Sequence, residues 1–199
     1  MTVVKVCGIT NAEDARAAVE AGAGALGFNF YPKSPRFVSV SAAAAITKDV
    51  PANVLKVGVF VNESPARVEE IVREAGLDVA QLHGDEGAAD VPAGVRVWKA
   101  FRMNEAFGLE MLESFPAEAF LLDTPTAMYG GSGETLDWMR ARGAGGRILL
   151  AGGLDESNVR EAIATARPWG VDACSRLESI PGKKDHGRMA RFIAAAHSV

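Results

Sequence analysis

The alternation of short apolar runs with amphipathic segments is the feature of this sequence that most restricts its fold. Eight apolar runs occur, and a helix is predicted after each, although Gly84 and Gly87 make the segment after the fourth run a poor helix former. Strands that alternate with helices indicate a parallel sheet. Eight such units in 199 residues predict a single-domain (β/α)8 TIM barrel over residues 1–199, at the short end of the usual size range. An open doubly wound sheet is the alternative, although it would usually hold fewer strands in this length.

The predicted elements follow one another without a linker or a change of composition that would divide the chain. Strands are predicted at residues 3–7, 25–30, 54–61, 79–82, 95–101, 119–123, 147–150 and 171–174. Helices are predicted between an Asn11 cap and Gly22, and near residues 41–48, 65–75, 86–89, 105–115, 136–142, 156–167 and 184–197.

Composition and charge argue against several classes of protein. Apolar residues make up 48% of the chain and the formal net charge is −4, a balance typical of a globular protein without a basic surface for nucleic acid. No run approaches the roughly 18 apolar residues that a membrane helix needs. The first residues show no secretory signal, and Cys7 and Cys174 are too few for a disulfide framework. We therefore expect a cytoplasmic protein that binds neither nucleic acid nor membranes.

Residues 22–27 match the pattern G-x-G-x-x-G of dinucleotide-binding proteins. In those proteins the pattern follows a strand and opens a helix, because the pyrophosphate sits at the helix N-terminus. Here it closes the first predicted helix and leads into the second strand, which is the reverse order. The pattern therefore indicates a helix end and close packing, and no NAD is expected.

In a barrel of this kind, chemistry is expected at the carboxyl ends of the strands. Cys7 ends the first predicted strand, and Asp123 ends the sixth after four apolar residues. Each has a structural alternative: Cys7 as a buried core thiol, Asp123 as a helix cap or a salt-bridge partner. Together they would face each other across the barrel mouth as a base and an acid.

Glycines follow the sixth and seventh predicted strands. Gly152 and Gly153 precede Asp155, where the next helix is expected to start, and the loops after the last two strands of a barrel commonly bind phosphate through backbone N–H groups. The cluster at residues 130–133, which includes Gly131, would close over the same region. Ordinary turn glycines are the alternative, but their position favours a phosphate-bearing ligand.

Charged and ring side chains complete the candidate site. Arg36 in the second loop offers a rigid cationic fork suited to a carboxylate, unless it is a solvated loop charge beside Lys33. His83 is interpreted as a hydrogen-bonded residue at the rim rather than as a base. The three histidines, His83, His186 and His197, lack a metal-ligand spacing, so no metal is expected.

Eight short motifs then become recognisable along the chain. They are KVCGIT (5–10), GFNFYPKSPR (27–36), VGVFVN (57–62), QLHG (81–84), LDT (122–124), GGSG (130–133), AGGL (151–154) and PGKKD (181–185). In this order they resemble the phosphoribosylanthranilate isomerase family over nearly the whole chain. One such motif is weak evidence, whereas the ordered set is specific.

The resemblance implies an isomerase of tryptophan biosynthesis that needs no metal, cofactor or external electron carrier. It would convert N-(5'-phosphoribosyl)anthranilate into 1-(2-carboxyphenylamino)-1-deoxyribulose 5-phosphate by an Amadori rearrangement. By resemblance, Cys7 is the general base, Asp123 is the general acid and Arg36 binds the anthranilate carboxylate. Members of the family are monomers or homodimers, and either state is expected here.

The resemblance also assigns the phosphate end of the substrate. Gly152, Gly153 and Ser175 would bind the ribose phosphate, and His83 and Gly131 are expected to line the same site. The family commonly has Ser-Ser-Gly-Val-Glu after the eighth strand, where this chain has the sequence CSRLE over residues 174–178.

The missing glycine puts one backbone contact to the phosphate in doubt. Arg176, which stands in its place, either adds a charge-assisted contact to the phosphate or points to solvent. The same segment begins with Cys174, on the strand next to Cys7 in a closed barrel. A disulfide between them under oxidation depends on which way the two side chains face.

Two other functions are compatible with a barrel that binds phosphate. One is a related isomerase of the histidine pathway or its dual-substrate relative, which uses two aspartates where this chain has a thiol and one carboxylate. The other is a non-catalytic barrel that binds a phosphorylated ligand, with Cys7 as a sensor thiol. A paired acid and base favours catalysis over pure binding.

Overall fold

The computed structural model describes residues 2–123 and 138–199. Its eight parallel strands form a closed barrel in which each strand pairs with the next along the chain and the eighth pairs with the first. The strands are β1 (Val3–Cys7), β2 (Ala25–Asn29), β3 (Leu55–Phe60), β4 (Val79–Leu82), β5 (Val97–Arg102), β6 (Ala119–Asp123), β7 (Arg147–Ala151) and β8 (Gly170–Ala173). Each predicted strand overlaps an observed one, and the predicted (β/α)8 TIM barrel is confirmed.

Helices cover the outside of the barrel. The described part of the chain contains α1 (Ala12–Ala21), α2 (Val40–Thr47), α3 (Pro65–Glu74), α4 (Glu110–Glu113), α5 (Val159–Ala166) and α6 (His186–His197). Short 3-10 turns lie at Ala88–Asp90, Trp138–Ala141 and Ser175–Leu177. Among the described helices, none has the length and apolar character needed to cross a membrane.

The first helix begins and ends as the sequence predicts. The Asn11 side chain accepts a hydrogen bond from the backbone N–H of Asp14 at 2.8 Å, which caps the start of α1. Gly22 ends the helix in the left-handed conformation with φ of 101°, which favours glycine. Residues 22–27 therefore run from a helix into β2, the reverse of the order in a dinucleotide-binding turn.

The predicted helix at residues 86–89 is wrong, because only the 3-10 turn Ala88–Asp90 forms there. The carboxylate of Glu86 is buried and accepts hydrogen bonds from the backbone N–H groups of Asn62 at 2.7 Å and Gly84 at 2.9 Å. Lys99 adds an ion pair to the same carboxylate at 2.7 Å. These bonds hold the loop after β4 in an irregular form.

Three predicted helices begin later than the sequence indicates. Lys184 lies in a short strand, so the last helix begins at His186, and the starts of the other two are occupied by turns that a side chain closes. Asn104 Oδ1 accepts from the backbone N–H of Ala106 at 3.0 Å, ahead of α4. Asp155 Oδ1 accepts from the backbone N–H of Ser157 at 2.9 Å, ahead of α5. The expectation that Asp155 starts a helix is therefore wrong. The described part of the predicted helix at 136–142 is the 3-10 turn Trp138–Ala141.

The barrel interior changes character along its axis. Apolar residues fill it at the amino ends of the strands. They include Ala25, Val79 and Ala119, each the first residue of its strand, with Trp98 beside them. The intervening side chains face outward and pack against the helices. Further along the strands the interior positions become polar, as at the buried Lys5. Polar groups therefore converge at the carboxyl end of the barrel.

Two further strands continue the chain after β8. They are β9 (Glu178–Ile180) and β10 (Lys183–Lys184), an antiparallel pair in which Lys184 is the register partner of Glu178. The hairpin lies between β8 and α6, and its Glu178 and Lys184 side chains hydrogen-bond Arg36 and the Cys174 carbonyl.

Candidate active site

A pocket of about 480 Å³ opens at the carboxyl end of the barrel. This volume is in the usual range for a small-molecule site. It is lined by the predicted site residues Cys7, Arg36, His83, Asp123, Gly152, Gly153, Ser175 and Arg176, together with the polar residues Asn29, Arg102, Asn104, Asp172 and Cys174. The structure thus brings together the predicted site residues of the described chain, although they come from six different strand ends and loops.

Cys7 is the last residue of β1, and its side chain faces the barrel interior. Its neighbour on β2 is Gly27, which is the register partner of Cys7. A Cβ atom at position 27 would lie 2.8 Å from the Cys7 sulphur and 3.2 Å from the Lys5 ammonium. A glycine there is required to leave room for the thiol and the ammonium.

Cys7 and Cys174 face each other across neighbouring strands. Lys5 and Asp172 are register partners on β1 and β8 and touch inside the barrel, so the residues two positions further along face the same way. Both cysteines are free thiols. A hydrogen bond from the Cys174 thiol holds the pKa of Cys7 well below its usual range against the opposing effect of burial, and Lys5 and Lys184 add to the lowering. The same bond, with burial, raises the pKa of Cys174.

A buried ion pair lies beneath Cys7. Lys5 Nζ donates to Asp172 Oδ1 at 2.8 Å, and the Lys5 side chain is fully buried. Burial raises the pKa of Asp172 to about 6, although Lys5 opposes this effect. Burial disfavours a charged Lys5, but the charges of Asp172 and Cys7 outweigh it and hold the pKa of Lys5 above its usual range. The ammonium therefore supplies positive charge next to the Cys7 sulphur.

Asp123 is the last residue of β6 and reaches the pocket from the opposite side of the barrel. Its Oδ2 atom lies 3.8 Å from His83 Nε2. The Gln81 side-chain amide, itself buried, donates to His83 Nδ1 at 2.9 Å, which orients the ring. Arg102, the register partner of Asp123 on β5, also lines the pocket. The carboxyl group of Asp123 thus lies beside the His83 ring.

Arg36 is held by a carboxylate from a distant part of the chain. Its Nε donates to Glu178 Oε1 at 2.8 Å and its Nη2 to Glu178 Oε2 at 2.7 Å. This pair raises the pKa of Arg36. The alternative of a solvated loop charge is therefore wrong for Arg36, whereas its neighbour Lys33 is exposed.

The loops after β7 and β8 form the other end of the pocket. Gly152 and Gly153 both have positive φ, 94° and 64°, and the Asn158 side chain donates to the Gly153 carbonyl at 3.0 Å, which braces the loop. Ser175 and Arg176 lie in the 3-10 turn that follows β8, and both line the pocket. The Arg176 residue is exposed at its edge. Gly131 and the rest of the glycine cluster at 130–133 lie outside the described residues.

Four charged neighbours of the predicted site residues were not identified from the sequence: Lys5, Asp172, Glu178 and Lys184. All four are charged residues that are buried in the structure. A charged residue in an otherwise apolar strand, such as Lys5 in VVKVC, was the available signal. Nothing local identifies Glu178, because its partner Arg36 is 142 residues away.

Comparison with known proteins agrees with this geometry. The family model described as N-(5'phosphoribosyl)anthranilate (PRA) isomerase matches residues 4–195. The N-(5'-phosphoribosyl)anthranilate isomerase of Solibacter usitatus is 58% identical over 195 residues, 98% of this chain and 96% of its own length. The crystal structure of phosphoribosyl anthranilate isomerase from Thermotoga maritima covers 100% of both chains at 41% identity, with a TM-score of 0.87.

A second crystal structure connects the fold with a ligand. It is a phosphoribosyl anthranilate isomerase in complex with reduced 1-(o-carboxyphenylamino)-1-deoxyribulose 5-phosphate, and it covers 100% of both chains at 37% identity with a TM-score of 0.86. The barrel, the ordered motifs and the match over nearly the whole length lead to one assignment. The chain belongs to the N-(5'-phosphoribosyl)anthranilate isomerase family.

Proposed function

We propose that Cys7 and Asp123 carry the two proton transfers of the isomerisation that this family catalyses. The chain is an isomerase of tryptophan biosynthesis, and its reaction converts N-(5'-phosphoribosyl)anthranilate into 1-(2-carboxyphenylamino)-1-deoxyribulose 5-phosphate. In this rearrangement C1' is reduced and C2' is oxidised within one molecule, so electrons balance without an external carrier. What the protein must supply is an acid, a base and two anion-binding regions.

Asp123 is proposed to act first, as the general acid. Its carboxyl proton goes to the furanose ring oxygen while the C1'–O bond breaks, and the anilino nitrogen supplies the electron pair that forms an iminium ion. The place of Asp123 at the end of β6, open to the pocket beside His83, supports this role. His83 is positioned to contact the carboxyl group rather than to replace it.

Cys7 is proposed to act second, as the general base. The iminium acidifies the C2' proton, the thiolate removes it, and the resulting enolamine tautomerises to the ketone. A thiol with its usual pKa is only partly ionised near neutral pH. The hydrogen bond from Cys174 and the charges of Lys5 and Lys184 favour the thiolate, and these contacts support Cys7 as a base.

The two ends of the pocket suit the two anionic ends of the substrate. Arg36 is proposed to bind the anthranilate carboxylate, and the backbone N–H groups of Gly152, Gly153 and Ser175 the phosphate. Arg176 is proposed to add a charge-assisted contact at the phosphate. This assignment places the ribose between Cys7 and Asp123.

One observation carries the proposal: the only two residues that the sequence nominated as base and acid open into the same pocket from opposite strands. The test is to mix the purified protein with freshly prepared N-(5'-phosphoribosyl)anthranilate and to follow the fall in anthranilate-type fluorescence, with and without EDTA. Rapid loss that is insensitive to EDTA is expected. No loss above the uncatalysed rate would overturn the activity, and loss only without EDTA would overturn the acid–base scheme.

The cellular setting is also part of the proposal. The two free thiols, one of them proposed as the base, suit a reducing compartment, and we place the reaction in the cytoplasm. The partner is the small phosphoribosyl substrate, and the protein is proposed to act as a monomer or a homodimer without nucleic acid.

A further inference from the structure

The guanidinium of Arg36 has two hydrogen-bonding edges, and the described residues occupy only one of them. Its Nε and one N–H of Nη2 form the bidentate pair with Glu178 at 2.8 and 2.7 Å. The other edge, the end edge, consists of Nη1 and the second N–H of Nη2, and it hydrogen-bonds no described residue. That edge is the one a ligand carboxylate would use, since Arg36 lines the pocket.

Glu178 is itself fixed. Its side chain is 4% exposed, and Lys184 Nζ forms an ion pair with its Oε1 atom at 3.1 Å. The backbone N–H of Gly182 donates to the same oxygen at 3.3 Å. The carboxylate thus has three partners, and each limits the directions in which it can turn.

Lys184, the second cation that contacts Glu178, is anchored by two further parts of the fold. Lys184 Nζ donates to the carbonyl of Cys174 at 3.2 Å, and its backbone N–H donates to the buried carboxylate of Asp14 on α1 at 2.9 Å. Arg188 on α6 donates to the Glu178 carbonyl at 3.0 Å. The β9–β10 hairpin is therefore a rigid support for the Glu178 carboxylate.

The net charge around Arg36 favours the binding of one more anion. Arg36 and Lys184 carry two positive charges and Glu178 one negative charge, so the three together have a net charge of +1. A ligand carboxylate on the end edge of Arg36 would neutralise the group. Glu178 thus sets the plane of the guanidinium without cancelling its attraction for an anion.

We propose that Glu178 is a positioning residue for substrate recognition: it aims the end edge of Arg36 at the anthranilate carboxylate, and Lys184 holds Glu178 in place. The proposal rests on the proposed role of Arg36. Glu178 does not touch the substrate in this scheme. Its contribution is to remove the freedom of a long side chain before the substrate binds.

The test compares two stable ligands by titration calorimetry. One is the reduced product, which carries the o-carboxyl group, and the other is its counterpart with a plain phenyl ring. In Glu178→Gln the Kd of the reduced product should rise about 10- to 100-fold, since a charged hydrogen-bonded contact loses its geometry. The Kd of the phenyl counterpart should stay within about threefold, and KM should rise by more than kcat falls.

Glu118→Gln is the matched control, because Glu118 forms the same kind of bidentate pair with Arg96, at 2.7 and 2.8 Å. That pair lies at the amino end of β6, away from the pocket. Its loss should leave both Kd values unchanged. Glu178→Asp keeps the charge but shortens the side chain, so it should show the same carboxyl-specific loss if Glu178→Gln fails to fold.

Equal weakening of both ligands in the Glu178 variants, or no weakening of either, would overturn the proposal. Arg36→Lys separates this failure from a failure of the proposed function. If Arg36→Lys loses affinity for the reduced product only and Glu178→Gln does not, Glu178 has no positioning role although Arg36 binds the carboxylate. If Arg36→Lys affects both ligands equally, the carboxylate site itself is misassigned.

Discussion

Cys7 and Cys174 lie side by side at the ends of β1 and β8, each two residues beyond the register partners Lys5 and Asp172, and their interaction holds the pKa of Cys7 well below its usual range. A thiol donor at position 174 favours the thiolate form of the proposed base. The family commonly has serine in place of Cys174, and a hydroxyl offers a donor in the same position. The pairing of the two thiols should affect both the acidity of Cys7 and its oxidation.

The pH dependence of Cys7 reactivity should depend on the donor at position 174. Cys174→Ala removes the donor, which raises the pKa of Cys7, so the thiolate forms only at higher pH. The rise of iodoacetamide alkylation at Cys7 with pH, followed by peptide mass spectrometry, should move to higher pH in Cys174→Ala. In Cys174→Ser it should stay near that of the unmodified protein. An alanine variant with an unshifted profile would show that the hydrogen bond does not set this pKa.

Oxidation should join the same two thiols and stop the reaction. Diamide accepts two electrons and two protons from Cys7 and Cys174, and a disulfide forms between them. Activity should fall, the intact mass should drop by two hydrogen atoms, and dithiothreitol should reverse both changes. Cys174→Ser is the control and should keep its activity after the same treatment. Equal inactivation of that variant would mean that diamide acts on Cys7 by another route.

Removing the proposed acid should separate turnover from binding. Asp123→Asn keeps the shape of the side chain but has no acidic proton, so kcat should fall by about 10²- to 10⁴-fold. The Kd of the reduced product should change little, since the proposed binding contacts lie at Arg36 and at the glycine loop. Stopped-flow fluorescence and calorimetry measure the two quantities. A large loss of affinity would instead make Asp123 a positioning residue.

Arg176 provides a test of the phosphate end of the pocket. In Arg176→Gly the KM should rise about fivefold with kcat unchanged, because an exposed charge-assisted contact contributes up to about 1 kcal/mol. Steady-state kinetics at low ionic strength would show the effect best, since salt screens exposed charges. An unaltered KM would show that the side chain of Arg176 points to solvent while the substrate is bound.

The barrel and most of its candidate site could be predicted from the sequence because both depend on local patterns. Short apolar runs locate the strands, helical spacing locates the helices between them, and the strand ends then nominate Cys7, Asp123 and Gly152. In a parallel barrel all carboxyl ends meet at one rim, so residues that are far apart in sequence are brought together by topology alone. No knowledge of individual contacts was needed.

The parts that could not be predicted depend on long-range contacts. The helix expected at 86–89 does not form because Glu86 bonds to Asn62 and Gly84, an arrangement that local propensity cannot indicate. The pairing of Arg36 with Glu178 likewise exists only after the barrel closes. Which way Cys7 and Cys174 face depends on the β1–β8 register, which is set by the contact between the first and the last strand.

The proposed reaction requires Cys7 as the base, and one variant tests this role most directly. Cys7→Ser replaces the thiol by a hydroxyl of similar size, which is far less acidic and cannot act as a base near neutral pH. Its kcat should fall by about 10²- to 10⁴-fold, with KM within about threefold of the unmodified value, as measured by the loss of anthranilate-type fluorescence. A serine variant that turns over at nearly the original rate would contradict the assignment of Cys7 as the general base.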